Sequence, residues 1–128
     1  TIAHAAPHGN DDPAAESLRI LAEQLAELRT REGRPYDLIP LPGPEPIRDE
    51  DGSPLPASYA NFVILNGAVL VPSFADAADA GAIEALQPAF PERVALPVPA
   101  RTFISQGGSL HCLTMQFPEG VFEDLALT

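Results

Sequence analysis

The stretch ANFVILNGAVLVPSFADAADAGAIEALQPAFPERVALPV, residues 60–98, decides the fold of this chain. Its first part, the nearly continuous apolar run from Ala60 to Leu65, predicts a strand that is buried on both faces. Asn66-Gly67 follows directly and is a strong signal for a two-residue hairpin turn. Ala68 to Val71 then forms the return strand, so this part of the sequence predicts a β-hairpin.

The second part of the same stretch predicts a helix and one further strand. The helix starts within Ser73–Asp79, and Asp76 is the expected N-cap because its short carboxylate can accept a hydrogen bond from the first helical turn. Val94 to Val98 forms the next strand, in which Pro97 favours a sheet edge or a bulge. Hairpin, helix and strand together indicate an α/β protein.

A similar order of elements precedes this stretch. Thr1 to Ala5 reads as the end of a strand or a loop, and Asp12 is a good N-cap for a helix that Gly33 closes. Tyr36 to Leu41 forms the following strand. The buried stripe of the helix consists of Leu18, Leu21, Leu25 and Leu28.

The two halves therefore form a faint internal repeat. Strand, Asp-capped helix and strand occur once between Thr1 and Leu41, and again between Ala60 and Val98 with a hairpin in front. A unit of this size cannot bury its own apolar face, so repeated units usually belong to a larger array. We predict that the chain is part of a ring or stack of such units.

Charge and cysteine content exclude several classes of function. Seven basic against 18 acidic residues give a net charge of −11 over 128 residues. Such a surface repels phosphate, so neither nucleic acid nor an anionic membrane is an expected partner, whereas a small cation would be attracted. A lone cysteine cannot form an internal disulfide, and no signal peptide is evident, so we expect a cytoplasmic protein.

That lone cysteine, Cys112, is the main candidate for chemistry. If the segment from His111 is extended, Cys112 faces the polar side with Thr114 and Gln116, while His111 faces the apolar side with Leu113, Met115 and Phe117. His111 would then be badly placed to act as a base for Cys112. Two interpretations stay open at this point, a half-buried structural cysteine or a nucleophile.

Few other residues suggest a site. Gly107 and Gly108, just before the cysteine, allow close approach of the backbone. Asn61 enters an apolar strand and needs a hydrogen-bond partner, so it is either structural or substrate-facing. His4 and His8 are better explained as solvated loop histidines than as metal ligands. No metal or cofactor is expected.

Three motifs, taken in order, resemble a known family. They are PASYANF at residues 56–62, NGAVLVPSFAD at residues 66–76 and GGSLHCLTMQ at residues 107–116. Together they are similar to the C-terminal part of agmatine deiminases, which are grouped with the calcium-independent bacterial peptidyl-arginine deiminases. The resemblance runs from about residue 34 to residue 118.

The resemblance implies a fold and a division of the chain. The family has the pentein fold, an α/β propeller of five ββαβ-type blades, of which this chain would form about two. Residues 1–42 would form a partial blade, residues 58–100 a second blade, and residues 107–118 a strand that bears the nucleophile. All 128 residues would then belong to one C-terminal portion of a pentein domain.

The resemblance also implies a reaction. Cys112 would attack agmatine and form a covalent thiouronium intermediate, giving N-carbamoylputrescine and ammonia, a step of polyamine metabolism. Gly107, Gly108 and Asn61 are weaker candidates for substrate contacts. The alternatives are a peptidyl-arginine deiminase, or a non-catalytic pentein module that acts in assembly.

The motifs that carry the family's catalytic His and its guanidinium-binding acids are absent from this sequence. We therefore expect an inactive C-terminal piece that needs the missing N-terminal blades. A second copy of the chain is the other expected partner.

Overall fold

The computed structural model describes residues 1–118, 120 and 121, and it contains two small sheets, each with a helix between two parallel strands. The strands are β1 (Ile2–Ala5), β2 (Leu38–Leu41), β3 (Val63–Ile64), β4 (Ala68–Ser73) and β5 (Val94–Pro99). The α-helices are α1 (Ala15–Glu27), α2 (Asp79–Leu86) and α3 (Arg101–Ile104), and short 3₁₀ helices cover Gln87–Ala89 and His111–Leu113.

The larger sheet has the strand order β3-β4-β5 and confirms the predicted hairpin. β3 and β4 are antiparallel, with Val63 opposite Leu70, and the backbone N–H of Leu65 donates to the carbonyl of Ala68 at 2.8 Å. β4 and β5 are parallel and are connected through α2. β5 lies at the edge of this sheet, as Pro97 predicted.

β3 is shorter than the apolar run predicted. It comprises two residues, and although Val63 is buried, the side chains of Ile64 and Leu65 are 39% and 45% exposed. The prediction of a strand buried on both faces is therefore wrong. One face of β3 packs on the core, and the other is only partly covered by the described chain.

The smaller sheet pairs β1 with β2 in parallel, and α1 connects them. The Asp12 carboxylate accepts hydrogen bonds from the backbone N–H groups of His8 and Ala14, but α1 begins at Ala15, two residues later than an N-cap at Asp12 predicts. α1 also ends at Glu27, well before Gly33, which closes a separate turn with φ +79°. The charged segment after the helix, residues 29–34, is held by hydrogen bonds between its own residues.

The predicted buried stripe of α1 is only partly covered. Leu18 and Leu25 are half-buried, whereas Leu21 and Leu28 are 39% and 47% exposed, and no residue of the helix is fully buried. The three-four spacing therefore predicted the correct helix face, but the described chain does not supply enough surface to bury it.

The core lies between the larger sheet and α2. Its largest fully buried side chains include Tyr59, Phe74, Leu41, Leu86, Ile104, Val63, Val69 and Val71. Rings of Tyr59 and Phe74 meet with their centroids 5.3 Å apart. These side chains come from segments that are more than sixty residues apart in sequence. The larger sheet, α2 and the end of β2 therefore share one core.

The sequence predicted Asp76 as the N-cap of α2, and this prediction is wrong. The helix begins three residues later at Asp79, with Ala78 in the N-cap position, and Asp76 accepts a bond from the Ala78 N–H at 2.8 Å. Ala75, directly before it, has a φ of +57°, which turns the backbone sharply before the helix can start.

The segment that bears Cys112 is a 3₁₀ turn and not a strand, so the predicted strand over residues 107–118 is wrong. Leu110, directly before this turn, is buried in the core together with Ile104. Leu110 already has helical backbone angles of −53° and −53°, so the chain turns there and does not continue as a strand.

The two predicted blade boundaries, 1–42 and 58–100, stay predictions. The portion assigned to residues 1–128 also includes residues 119 and 122–128, which lie outside the described residues. Among those that are described, no helix combines the length and apolar character that a bilayer crossing requires.

Candidate functional site

The Cys112 thiol is exposed and accepts hydrogen bonds from N–H groups of neighbouring residues and from its own backbone N–H. The backbone N–H of Ser109 donates to it, and Nδ2 of Asn61 lies 3.2 Å from Sγ. These hydrogen bonds, that of Ser109 first and that of Asn61 second, hold the pKa of Cys112 below its usual value. Both donors favour the thiolate, which is the nucleophilic form of a cysteine.

Asn61 holds the whole turn as well as the sulfur. Its side-chain Oδ1 accepts the backbone N–H of His111 at 2.7 Å and that of Cys112 at 3.4 Å, and its own carbonyl accepts His111 N–H at 3.3 Å. Asn61 precedes Cys112 by 51 residues, so a tertiary contact sets the geometry of the nucleophile. Asn61 was predicted to be either structural or substrate-facing, and these contacts agree with the structural role.

The two glycines before the cysteine are also brought to the site. A Cβ at Gly108 would lie 3.0 Å from Cβ and 3.6 Å from Sγ of Cys112, so any larger residue would crowd the nucleophile. Gly107 has a φ of +85°, a conformation that side chains disfavour. Their role in this structure is therefore to let the turn fold tightly, and their role as substrate contacts stays a prediction.

Residues after the cysteine differ from the sequence prediction. Leu113, Met115 and Phe117, expected to pack into apolar surroundings, are 59%, 78% and 53% exposed. In a 3₁₀ turn the strict alternation of a strand does not apply, so both His111 and Cys112 are exposed. Strand alternation therefore does not turn His111 away from Cys112.

Two contacts near the turn were missed in the sequence. Nε2 of Gln116 donates to the carbonyl of Ile64 at 2.7 Å and ties the segment after Cys112 to the edge of β3. Ser109, whose N–H reaches the sulfur, is itself 1% exposed, and its hydroxyl has no partner among the described residues. Neither contact has a local sequence signal, because both depend on pairing with a distant segment or on burial.

The histidines near the start of the chain lie apart from the cysteine turn in the contacts described. His4 is buried at 8% exposure in β1, with Nδ1 3.1 Å from the carbonyl oxygen of Ala5, so its interpretation as a solvated loop residue is wrong. Parallel pairing with β2 places His4 opposite Pro40 and covers it. His8 lies in an exposed loop, as predicted, with Nδ1 3.1 Å from the Gly43 carbonyl oxygen. No cluster of three metal-ligating side chains occurs within the described part of the chain.

Chemically, the arrangement is an activated thiol on a tight turn. The hydrogen-bond partners described for Sγ are all N–H groups, which stabilise negative charge on sulfur but cannot remove a proton. An exposed thiolate of this kind can attack an electrophilic carbon that approaches from solvent.

Comparison with known proteins identifies relatives for nearly the whole chain. The family model for the Porphyromonas-type peptidyl-arginine deiminase matches residues 1–118. The "putative agmatine deiminase" of Selenomonas ruminantium is 37% identical over 126 residues, covering 84% of this chain and 34% of that protein. The agmatine deiminase of Pseudomonas fluorescens is 36% identical over 124 residues, with the same two coverages.

Solved structures agree with these sequence matches. A crystal structure described as that of a "putative peptidyl-arginine deiminase" superposes with a TM-score of 0.89 at 39% identity, covering 94% of this chain and 36% of the other. The C. jejuni agmatine deiminase gives a TM-score of 0.76 at 36% identity, covering 86% of this chain and 32% of the other. These matches confirm the α/β fold as part of a pentein.

The chain spans 34% of the length of the two curated relatives named above. The match nevertheless includes every element described, from β1 to the cysteine turn. The chain therefore belongs to the Porphyromonas-type peptidyl-arginine deiminase family.

Proposed function

We propose that this chain carries the nucleophile, Cys112, of a guanidine-group hydrolase whose substrate is agmatine. The observation that carries the proposal is the exposed thiol at the 3₁₀ turn, which receives the N–H groups of Ser109 and Asn61. The relatives named agmatine deiminase support the choice of substrate. The net charge of −11 would attract a cationic guanidinium.

In the proposed reaction the thiolate sulfur forms a bond to the central guanidinium carbon. One C–N bond then breaks, and ammonia leaves with a proton from an acid. Water attacks the same carbon of the resulting thiouronium and gives up its two protons, one to the conjugate base of that acid and one to solvent. The C–S bond breaks, which returns the thiolate and leaves a ureido product. For agmatine this product is N-carbamoylputrescine.

The described contacts of Cys112 supply neither the general acid nor carboxylates that would bind the guanidinium. We place these groups in further blades of the pentein ring, and we expect the 128-residue chain alone to be inactive. The same proposal assigns the protein to the cytoplasm, since a lone nucleophilic cysteine must stay reduced to act.

The test is ammonia release from agmatine. The complete gene product is expected to release ammonia, its Cys112→Ala variant is expected to release none, and the 128-residue chain is expected to be inactive. The Gly9→Ala variant of the gene product is a control, because nothing lies within 4 Å of an added Cβ there. No ammonia from the complete protein, or undiminished release by Cys112→Ala, would contradict the proposal.

A peptidyl-arginine deiminase is the second candidate, because the matching family model has that description. The same assay with an arginine-containing peptide separates the two. Faster citrulline formation in the peptide than ureido formation from agmatine would favour the peptide substrate. Release from neither substrate would leave the third reading, a pentein module that acts in assembly.

A further inference from the structure

We propose that Tyr59 and Asp79 are positioning residues for the nucleophile. Their buried hydrogen bond fixes the turn that carries Asn61, and Asn61 in turn fixes the sulfur of Cys112. The importance of this connection for catalysis rests on the proposed function. Its effect on the thiol can be measured without any substrate.

The connection starts in the core. The Tyr59 hydroxyl donates to Oδ1 of Asp79 at 2.7 Å, and the Tyr59 side chain is 1% exposed. Burial, with the Asp79 hydrogen bond and charge, raises the pKa of Tyr59 far above its usual value, so the hydroxyl stays a proton donor. A hydrogen bond from a buried hydroxyl to a carboxylate is among the stronger ones in a protein.

Asp79 is itself held in place. Its Oδ1 also accepts the backbone N–H of Phe74 at 2.9 Å, and its Oδ2 accepts that of Asp76 at 3.2 Å. Asp79 is the first residue of α2, and these bonds tie its carboxylate to the residue that follows β4 and to the connection that leads into the helix. Tyr59 is thus attached to one of the best-anchored points of the larger unit.

Tyr59 lies within a tight turn that runs from Ser58 to Asn61. The Asn61 N–H donates to the Ser58 carbonyl at 3.3 Å, and the Ala60 N–H donates to the Ser58 hydroxyl at 3.2 Å. Both hydrogen bonds join residues close in sequence and lie at an exposed surface, and such bonds alone do not hold a turn rigidly. Tyr59, in the middle of the turn, anchors it to the core.

Asn61 completes the connection through its contacts with the cysteine turn. Its Nδ2 lies 3.2 Å from Sγ, and its Oδ1 accepts the His111 N–H at 2.7 Å. A displacement of the Asn61 turn by a few tenths of an ångström would lengthen both bonds. The thiolate would then lose part of its stabilisation, although nothing at Cys112 itself had changed.

The experiment follows alkylation of Cys112 by iodoacetamide across a pH range in the 128-residue chain. The reagent is neutral and Cys112 is the only cysteine, so the rate reports the thiolate fraction at one site. Tyr59→Phe keeps the ring and removes the hydroxyl. We expect its titration midpoint to move upward and its rate at pH 7 to fall at least about threefold.

Three further variants separate positioning from stability. Tyr36→Phe makes the same chemical change at the other tyrosine, which is 37% exposed, and should leave the midpoint unchanged. Asp79→Asn removes the charge of the acceptor and loses the acceptor for Asp76 N–H, so it should weaken the anchor of Tyr59 and also move the midpoint upward. In an Asn61→Ala background, Tyr59→Phe should add no further shift.

Each opposite result would overturn the proposal. These results are a folded Tyr59→Phe chain with the wild-type midpoint, shifts that add in the double variant, and a folded Asp79→Asn chain with the wild-type midpoint. Circular dichroism establishes folding in each case. Absence of ammonia release by the complete protein would contradict the proposed function alone, because these alkylation rates involve no substrate.

Discussion

At the scale of single residues, the reactivity of Cys112 depends on neighbours that favour its charged form. Ser109 and Asn61 donate N–H groups to the sulfur, and the pKa of the thiol is lowered accordingly. A group whose pKa is lower in the folded state stabilises that state when it is deprotonated. The stabilisation is present in full above the unfolded pKa and is lost as the pH falls through the folded pKa.

This relation gives a prediction for stability against pH. We expect the free energy of unfolding of the wild-type chain, minus that of Cys112→Ser, to rise between the folded pKa and the unfolded value of about 8.5 and then to level off. Urea unfolding of both chains at a series of pH values measures it. Other titrating groups cancel in the difference, so a flat profile would contradict the lowered pKa.

Gly108 provides a second prediction at this scale. Gly108→Ala would place a Cβ 3.0 Å from Cβ of Cys112, and the turn must shift to relieve the contact. We expect slower alkylation of Cys112 at neutral pH and a loss of about 1 kcal/mol of stability. Gly9→Ala, where an added Cβ meets nothing within 4 Å, is the matched control. Equal alkylation rates in the two variants would show that the turn absorbs the methyl group without moving the thiol.

At the scale of elements, local patterns predicted what depends on neighbours in sequence. Asn66-Gly67 predicted the hairpin, and Pro97 predicted an edge strand, because turn chemistry and a missing N–H act locally. The cysteine turn was mistaken for a strand because its apolar residues alternate. Its actual shape depends on Asn61, 51 residues away, and on burial of Leu110, which no local pattern encodes.

The connection that leads into α2 contains a backbone conformation that the sequence did not predict. Ala75 has a φ of +57°, which costs a residue with a Cβ about 1–2 kcal/mol. We expect Ala75→Gly to raise the free energy of unfolding by about 0.5–1 kcal/mol, after the larger entropy of glycine in the unfolded chain is subtracted.

The control for this substitution is Ala80→Gly, on the exposed side of α2. There the backbone is helical, so glycine should lower stability by about 0.5–1 kcal/mol. Thermal or urea unfolding of both variants decides the matter. Destabilisation by Ala75→Gly of the same size as by Ala80→Gly would mean that the left-handed conformation of Ala75 is not strained.

At the scale of the whole molecule, the two units of the repeat leave much apolar surface uncovered. Helix α1 exposes Ile20 and Leu21, and Leu28 is exposed directly after it. The edge strand β5 exposes Val94 and Leu96, at 58% and 44%. This is what the sequence repeat predicted for part of a larger array. The chain covers 34% of the length of two curated relatives, which agrees with that prediction.

The exposed edge of β5 predicts that copies of this chain associate with one another. β5 pairs with β4 on one side, and its other side has no strand partner among the described residues, so its backbone groups and apolar face can pair with another strand. We expect the 128-residue chain to associate as its concentration rises in sedimentation velocity runs. Val94→Lys places a charge on β5 and should weaken this association, whereas Ile20→Lys, on the exposed side of α1, should not. Equal weakening by both would indicate general apolar contact, and a monomer at every concentration would contradict pairing through β5.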